Sequence, residues 1–279
     1  MKTRDEDFVD QLFIASTHSY VLIFTDRGRV YWLKVHEIPD VGPQGKGKAA
    51  VNLVRLQPGE KIAAFAAVRD FPPGRNVLLA TAKGIVKKTE LTNFANPRAG
   101  GIIALGVEDD DSLIEAVLTS GQDEVLLATR EGMSIRFSEE DVRPMGRAAY
   151  GVKGIELETG DEVVAMEVVA EAGVLLSVTA NGYGKRTEMA EYRAQSRGGK
   201  GIINIKTSPR NSGVVGVKFI AKDEEVMLIT EQGMIIRLST ADISTIGRAT
   251  QGVRLIQLEE GDRLVSLARL AEKEEGEEA

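Results

Sequence analysis

A near-constant repeat constrains this chain more than any other feature, because a period near 50 residues signals a propeller, solenoid or array built from like units. The mark of the repeat is a basic, glycine-rich stretch, fullest at Gln195-Ser196-Arg197-Gly198-Gly199-Lys200-Gly201, directly before Ile202-Ile203. Weaker copies close at Gly47 (Gln44-Gly45-Lys46-Gly47-Lys48), Gly101 (Arg98-Ala99-Gly100-Gly101), Gly151 (Arg147-Ala148-Ala149-Tyr150-Gly151) and Gly252 (Arg248-Ala249-Thr250-Gln251-Gly252). The closing glycines stand 54, 50, 50 and 51 residues apart. Each of these stretches is called a box below.

Every unit holds a second landmark. An apolar run ends in threonine, turns at a glycine three residues on, and resumes: Tyr20 to Thr25 with Gly28, Val77 to Thr81 with Gly84, Val125 to Thr129 with Gly132, Val174 to Thr179 with Gly182, and Val226 to Thr230 with Gly233. Runs of Val, Ile, Leu and Thr around a glycine predict five β-hairpins, since glycine accepts the positive φ of a tight turn. Four residues past the glycine a cation recurs, at Lys88, Arg136, Arg186 and Arg237, with Trp32 in its place in the first unit. A further strand is predicted to open each unit, at 8–15, 62–68, 113–119, 163–169, 214–219 and 264–270, after a polar or acidic turn in all but the first. Helical patterning is poor throughout, and its best stretch, 268–279, is too charged and short for more than a frayed end. The expected fold is all-β, a propeller-like disc of four-stranded blades of about 50 residues, five full and a sixth incomplete. Its units run 8–60, 61–111, 112–161, 162–212, 213–262 and a partial 263–270, within a domain 1–270 followed by an acidic, disordered tail 271–279.

Composition removes whole classes of chemistry. With no cysteine there is no thiolate metal site, disulfide or cysteine nucleophile, and two histidines, His18 and His36, cannot make a multi-histidine metal centre. The chain carries no Gly-x-Ser-x-Gly elbow, and Ala194 and Gly201 stand where a phosphate-binding P-loop needs glycine and Ser or Thr. Asp109-Asp110-Asp111 shares its repeat position with Thr159-Gly160-Asp161 and reads as a solvated turn rather than a metal site. No catalytic residue, metal or cofactor is therefore expected. The charged N-terminus and the lack of an 18-residue apolar run imply no membrane segment and a cytoplasmic setting, to which the family resemblance given below adds association with the nucleoid.

The formal net charge of -7 argues against a polyanion partner, but its distribution argues for one. Stretches 41–48, 97–101, 143–153, 193–201 and 247–254 hold Lys46, Lys48, Arg98, Arg143, Arg147, Lys153, Arg193, Arg197, Lys200, Arg248 and Arg254 and no carboxylate. Loops placed on a surface by chance would carry both signs. Glycine lets backbone N–H groups approach a phosphate, and Arg and Lys displace its counterions, so the boxes suit a nucleic-acid backbone.

The box Gln195 to Gly201 resembles the Gln-Arg-Arg-Gly-Gly-Lys-Gly box of the DNA gyrase A C-terminal domain, with Ser196 in place of an arginine. Phe8-Val9-Asp10, Arg27-Gly28-Arg29-Val30-Tyr31, Asn181-Gly182-Tyr183-Gly184-Lys185-Arg186-Thr187 and Gly247 to Val253 resemble the same family in order. The resemblance implies a β-pinwheel whose basic rim wraps and bends duplex DNA without sequence preference, in support of negative supercoiling, and an acidic tail that tunes wrapping. It implies a fragment of an ATP-dependent type II topoisomerase, with the catalytic tyrosine region upstream, and as partners DNA, the gyrase A catalytic region and gyrase B. Candidate DNA contacts are Gln195, Arg197, Gly198, Gly199, Lys200 and Gly201, then Arg147, Arg248, Arg98, Lys46 and Lys48 around the rim, with Lys88, Arg136, Arg186 and Arg237 beside them. Two alternatives stay open: the related C-terminal domain of topoisomerase IV, and a kelch-like propeller that binds protein.

Overall fold

The computed structural model describes residues 15–39 and 52–270, and among these there is no α-helix and no helix long and apolar enough to cross a membrane. The predicted opening strand at 8–15, the box lysines Lys46 and Lys48, and the tail 271–279 lie outside the described residues, apart from Ala15.

Five antiparallel sheets form five propeller-like blades, one on each predicted hairpin. Blade one orders Ile62–Val68, Tyr20–Thr25, Arg29–Lys34 and Ile102–Ile103. Blade two orders Leu113–Thr119, Asn76–Thr81, Ile85–Glu90 and Val152–Lys153. Blade three orders Val163–Val169, Glu124–Thr129, Met133–Ser138 and Ile202–Ile203. Blade four orders Val214–Ile220, Val174–Thr179, Tyr183–Glu188 and Val253–Arg254. Blade five has three strands among the described residues, Leu264–Leu270, Glu225–Thr230 and Ile235–Ser239.

The sheets cut across the sequence units. Each opening strand pairs with the hairpin before it, as Ile62–Val68 pairs with Tyr20–Thr25, and not with the hairpin that follows. The outer strand is two residues that leave the box of the next unit. Each four-stranded blade thus borrows its two edges from downstream, and Leu264–Leu270, expected to begin a sixth unit, is the inner strand of blade five.

The threonine of each hairpin has a local cause. Its hydroxyl accepts the N–H of the residue after the glycine, from Arg29, Ile85, Met133 and Met234 at 3.1–3.3 Å, while in blade four Thr179 Oγ1 donates to Tyr183 O. The glycine N–H returns to the threonine carbonyl, closing the turn. The first strands of the hairpins read as unbroken apolar runs because both faces are covered. Val77 and Leu79 join Leu22, Phe24 and Val30 between blades one and two, while Leu78 and Ala80 join Val125 and Leu127 between blades two and three. Period-two alternation therefore feeds two different cores, and each is worth about 1.5–3 kcal/mol per buried Val or Leu. The opening strands of successive blades pack on one another at the hub, which leaves the boxes at the opposite, outer edge.

Candidate nucleic-acid interface

Three of the four described boxes start from a fixed main-chain anchor on the preceding blade. In blades two, three and four a parallel bridge joins the residue four past the hairpin glycine to the approach of the next box: Lys88 to Pro144, Arg136 to Ala194 and Arg186 to Thr245. The carbonyls of Lys88, Arg136 and Arg186 then accept the N–H groups of Met145, Gln195 and Ile246. The chain next swings out through the basic residues and returns at the closing glycine, where the outer strand begins.

The box glycines are required by this return. Gly201 has φ +73°, and a Cβ there would lie 2.2 Å from Ser134 O; Gly198 has φ +82° and donates its N–H to Gly154 O at 2.6 Å. Only glycine meets both demands, a left-handed backbone and a main chain pressed on its neighbour.

Arg197, half-buried, donates through Nε to Asp141 O and through Nη1 to Lys153 O, both at 2.9 Å. Arg248 does the same for the next blade, with Nη1 on Ile203 O at 2.7 Å, and its guanidinium lies 6.0 Å from the Tyr192 ring centroid. These arginines hold neighbouring boxes together as well as charging them. Lys200 is exposed and meets Glu158 at 2.9 Å, which holds its ammonium above the usual lysine range. A pair with both groups in water contributes little, so a phosphate can replace the carboxylate at little cost. Arg98 is exposed and Arg147 half-exposed, with Arg143, Lys153 and Arg193 exposed alongside. Gln195 and Gly199 contribute backbone, Gln195 N–H to Arg136 O and Gly199 O to the N–H of Glu156.

Three of the four cations that follow the hairpin glycines turn onto protein groups, which corrects the sequence expectation for Lys88, Arg136 and Arg186. Lys88 is buried, with Nζ donating to Glu139 O at 2.7 Å and 3.7 Å from the buried Glu139 carboxylate. Arg136 is buried, paired with Glu124 and donating to Tyr192 O at 3.1 Å. Arg186 donates to Ile243 O at 2.7 Å and pairs with Asp223. Each reaches the single 3-10 turn after the next hairpin, at Glu139–Asp141, Met189–Glu191 or Thr240–Asp242 or the residue just past it, where free carbonyls attract donors. Trp32, which broke the sequence pattern, does the same work: Nε1 donates to Phe94 O at 2.9 Å in the turn Leu91–Phe94. The position selects for a long donor, and charge is incidental. Arg237 alone is exposed, paired with Glu225 on its own hairpin.

Two residues held beneath the boxes carried no obvious sequence signal. Lys87 and Lys185, three past their glycines on strands otherwise destined for the core, are fully buried beneath boxes. Lys87 Nζ donates to Ala104 O at 2.5 Å and to Arg147 O, and Lys185 Nζ to Gly247 O at 2.7 Å and Arg248 O at 2.6 Å. Burial pulls both ammoniums down to about 8, aided by Arg147 next to Lys87 and by Arg248 next to Lys185, where Glu191 opposes the shift. Both stand in polar stretches, Lys87-Lys88-Thr89-Glu90 and Lys185-Arg186-Thr187-Glu188, which read from sequence as solvated strands.

A sequence profile described as the DNA gyrase C-terminal domain, beta-propeller, matches residues 19–69, 75–120, 123–170, 173–221 and 224–271. The chain belongs to that family. The matched segments begin near each hairpin and close on the opening strand after it, as the hydrogen-bonded sheets do. The chain is 45% identical over 277 residues to the DNA gyrase A protein of Salmonella typhimurium and 46% identical over 280 residues to that of Staphylococcus aureus. In both cases 99% of this chain is covered and 32% of the relative, so it spans about a third of their length. A solved DNA gyrase A C-terminal domain superposes with TM-score 0.82 at 25% identity over 97% of this chain and 93% of that one. A topoisomerase IV C-terminal domain does so with 0.82 at 26% over 91% and 80%. The domain is the gyrase β-pinwheel type.

Proposed function

We propose that the chain binds and bends duplex DNA along the outer edge of its blades, as the wrapping part of a gyrase that supercoils DNA together with the gyrase A catalytic region and gyrase B. The observation that carries this reading is the register of the boxes. Four described boxes stand at equivalent places on one edge, each free of carboxylates and each anchored to the blade before it. Backbone charge and bending, rather than base readout, suit such an edge, because glycine loops with Arg and Lys offer few groups shaped to a base.

Affinity for random duplex DNA as a function of salt tests the reading. With about six to eight cations meeting phosphates, log K falls against log salt with a slope of roughly -5 to -7. A flat salt response, or a strong preference for one sequence, overturns it.

A further inference from the structure

The four described boxes differ in what lies beneath them, and the difference tracks their charge. The residue three past each hairpin glycine forms the floor under the next box: Tyr31 under Gly101, Lys87 under Gly151, Ile135 under Gly201, and Lys185 on the strand whose Gly184 meets Gly252. The box over isoleucine carries two cations, Arg197 and Lys200, between its opening arginine and closing glycine. The boxes over Lys87 and Lys185 carry one each, Arg147 and Arg248. In both, a buried ammonium donates to the loop carbonyls from below. The remaining single-cation box, at Arg98, has its carbonyls held as well, with Arg29 Nη2 donating to Gly100 O at 2.7 Å and Gly101 O at 3.3 Å.

A planar trans peptide sets its N–H opposite its C=O. The described residues contain no cis peptide, so drawing Arg147 O and Arg248 O inward turns the N–H groups of Ala148 and Ala249 outward. The buried charge and the outward N–H groups both favour an anion at the edge, and the protein interior screens that charge less than water does.

We propose that Lys87 and Lys185 belong to the DNA-binding edge, as positioning residues that orient the Arg147 and Arg248 boxes and supply from beneath the second positive charge those boxes lack. The inference rests on the DNA-binding reading above. It predicts that a phosphate above the box favours the charged ammonium, so that DNA binding draws protons onto these two lysines. The charged groups facing them are Arg147 for Lys87, and Arg248 and Glu191 for Lys185.

The test compares the wild-type chain with Lys87→Met, Lys185→Met and the double variant, using a random duplex of about 40 base pairs. Lys218→Met is the control, since Lys218 lies on the inner strand of blade four, paired with Glu167 at the hub and away from the boxes. Expected are a roughly 5- to 30-fold loss of affinity for each floor variant at low salt and no comparable loss for Lys218→Met at matched folded fraction. Calorimetry in buffers of differing ionisation enthalpy adds a readout that a merely structural lysine does not move. Wild-type binding should take up close to one proton at pH 8 and almost none at pH 6.5, and the double variant should lose that uptake. If the methionine variants fail to fold, wild-type uptake at pH 8 decides alone. Affinities equal to the control, or binding without proton uptake, overturn the proposal, whereas failure of the wild-type chain to bind DNA overturns the reading beneath it.

Discussion

Blades three and five are built on hairpins of nearly the same design, yet they are treated differently by the rest of the chain. Gly132 and Gly233 both turn at φ +85°. A Cβ on Gly132 would lie 2.1 Å from Ile205 O, because that glycine's carbonyl receives the N–H groups of Asn204 and Ile205 as the outer strand arrives. A Cβ on Gly233 meets nothing within 4 Å. The second strand of blade three is buried along its middle, whereas Ile235–Ser239 in blade five is largely open, with Met234 and Ile235 exposed and, among the described residues, no outer strand beside them. The hairpin is thus a self-sufficient unit, and the blade is an arrangement made with its downstream neighbours.

Alanine at the two glycines gives the widest separation. Gly233→Ala incurs only the left-handed backbone penalty, about 1–2 kcal/mol, while Gly132→Ala adds displacement of a strand and reaches roughly 3–5 kcal/mol in urea unfolding. Equal losses at both sites break the comparison, since they mean that the outer strand contributes nothing to the turn.

The arginines four past those glycines come next. Arg136 spans from its own hairpin to the 3-10 turn of blade four, and Arg136→Met leaves Glu124 and two carbonyls without it, an expected loss of about 2–4 kcal/mol. Arg237→Met removes an exposed pair within one hairpin and changes stability by no more than about 0.5 kcal/mol. Parallel urea titrations decide, and a costly Arg237→Met shows that blade five also has a neighbour on that side.

Much of this was legible in the sequence and some was not, for reasons these residues make plain. Threonine and glycine three apart encode a local turn, so all five hairpins could be read directly. The partner of each opening strand is encoded by no local residue; Ile62 is as apolar as either hairpin could want, and only the closing of sheets decides that it turns back to Tyr20–Thr25. Among the candidate contacts, charge alone could not distinguish Arg136 from Arg147. One meets carbonyls of the next blade and the other stays half-exposed in an acid-free loop, and what marks the difference is that Trp32 substitutes for the first kind. Lys87 and Lys185 escaped because each is followed by a second cation, a threonine and a glutamate, a polar run that gives no sign of burial.

The smallest effect is a matter of pH and concerns the hub. Glu115 stands two past the start of its inner strand, opposite Ala80, and Ser266 holds the same place in blade five, opposite Ile229. Glu115 faces Glu167 of blade three and Lys218 of blade four, which pair with each other at 2.6 Å. Burial, with Glu167 adding to it, raises the Glu115 carboxyl to about 7 despite Lys218. Between the ordinary glutamate range and about pH 7 the folded chain therefore binds more protons at this site than the unfolded chain. Stability from this group is fully present at low pH, declines as pH rises through that window and levels off above it. Glu115→Gln keeps the shape and removes the titration, so the expected result is a flatter stability profile from pH 5 to 7 and a gain of about 1–2 kcal/mol over the wild type at pH 8. Urea midpoints at four pH values read it out, provided both proteins are followed in one buffer series. An unchanged slope means that water reaches Glu115 freely and that the inner strands do not close around it, in which case the hub of blades two to four is as open as the edge of blade five.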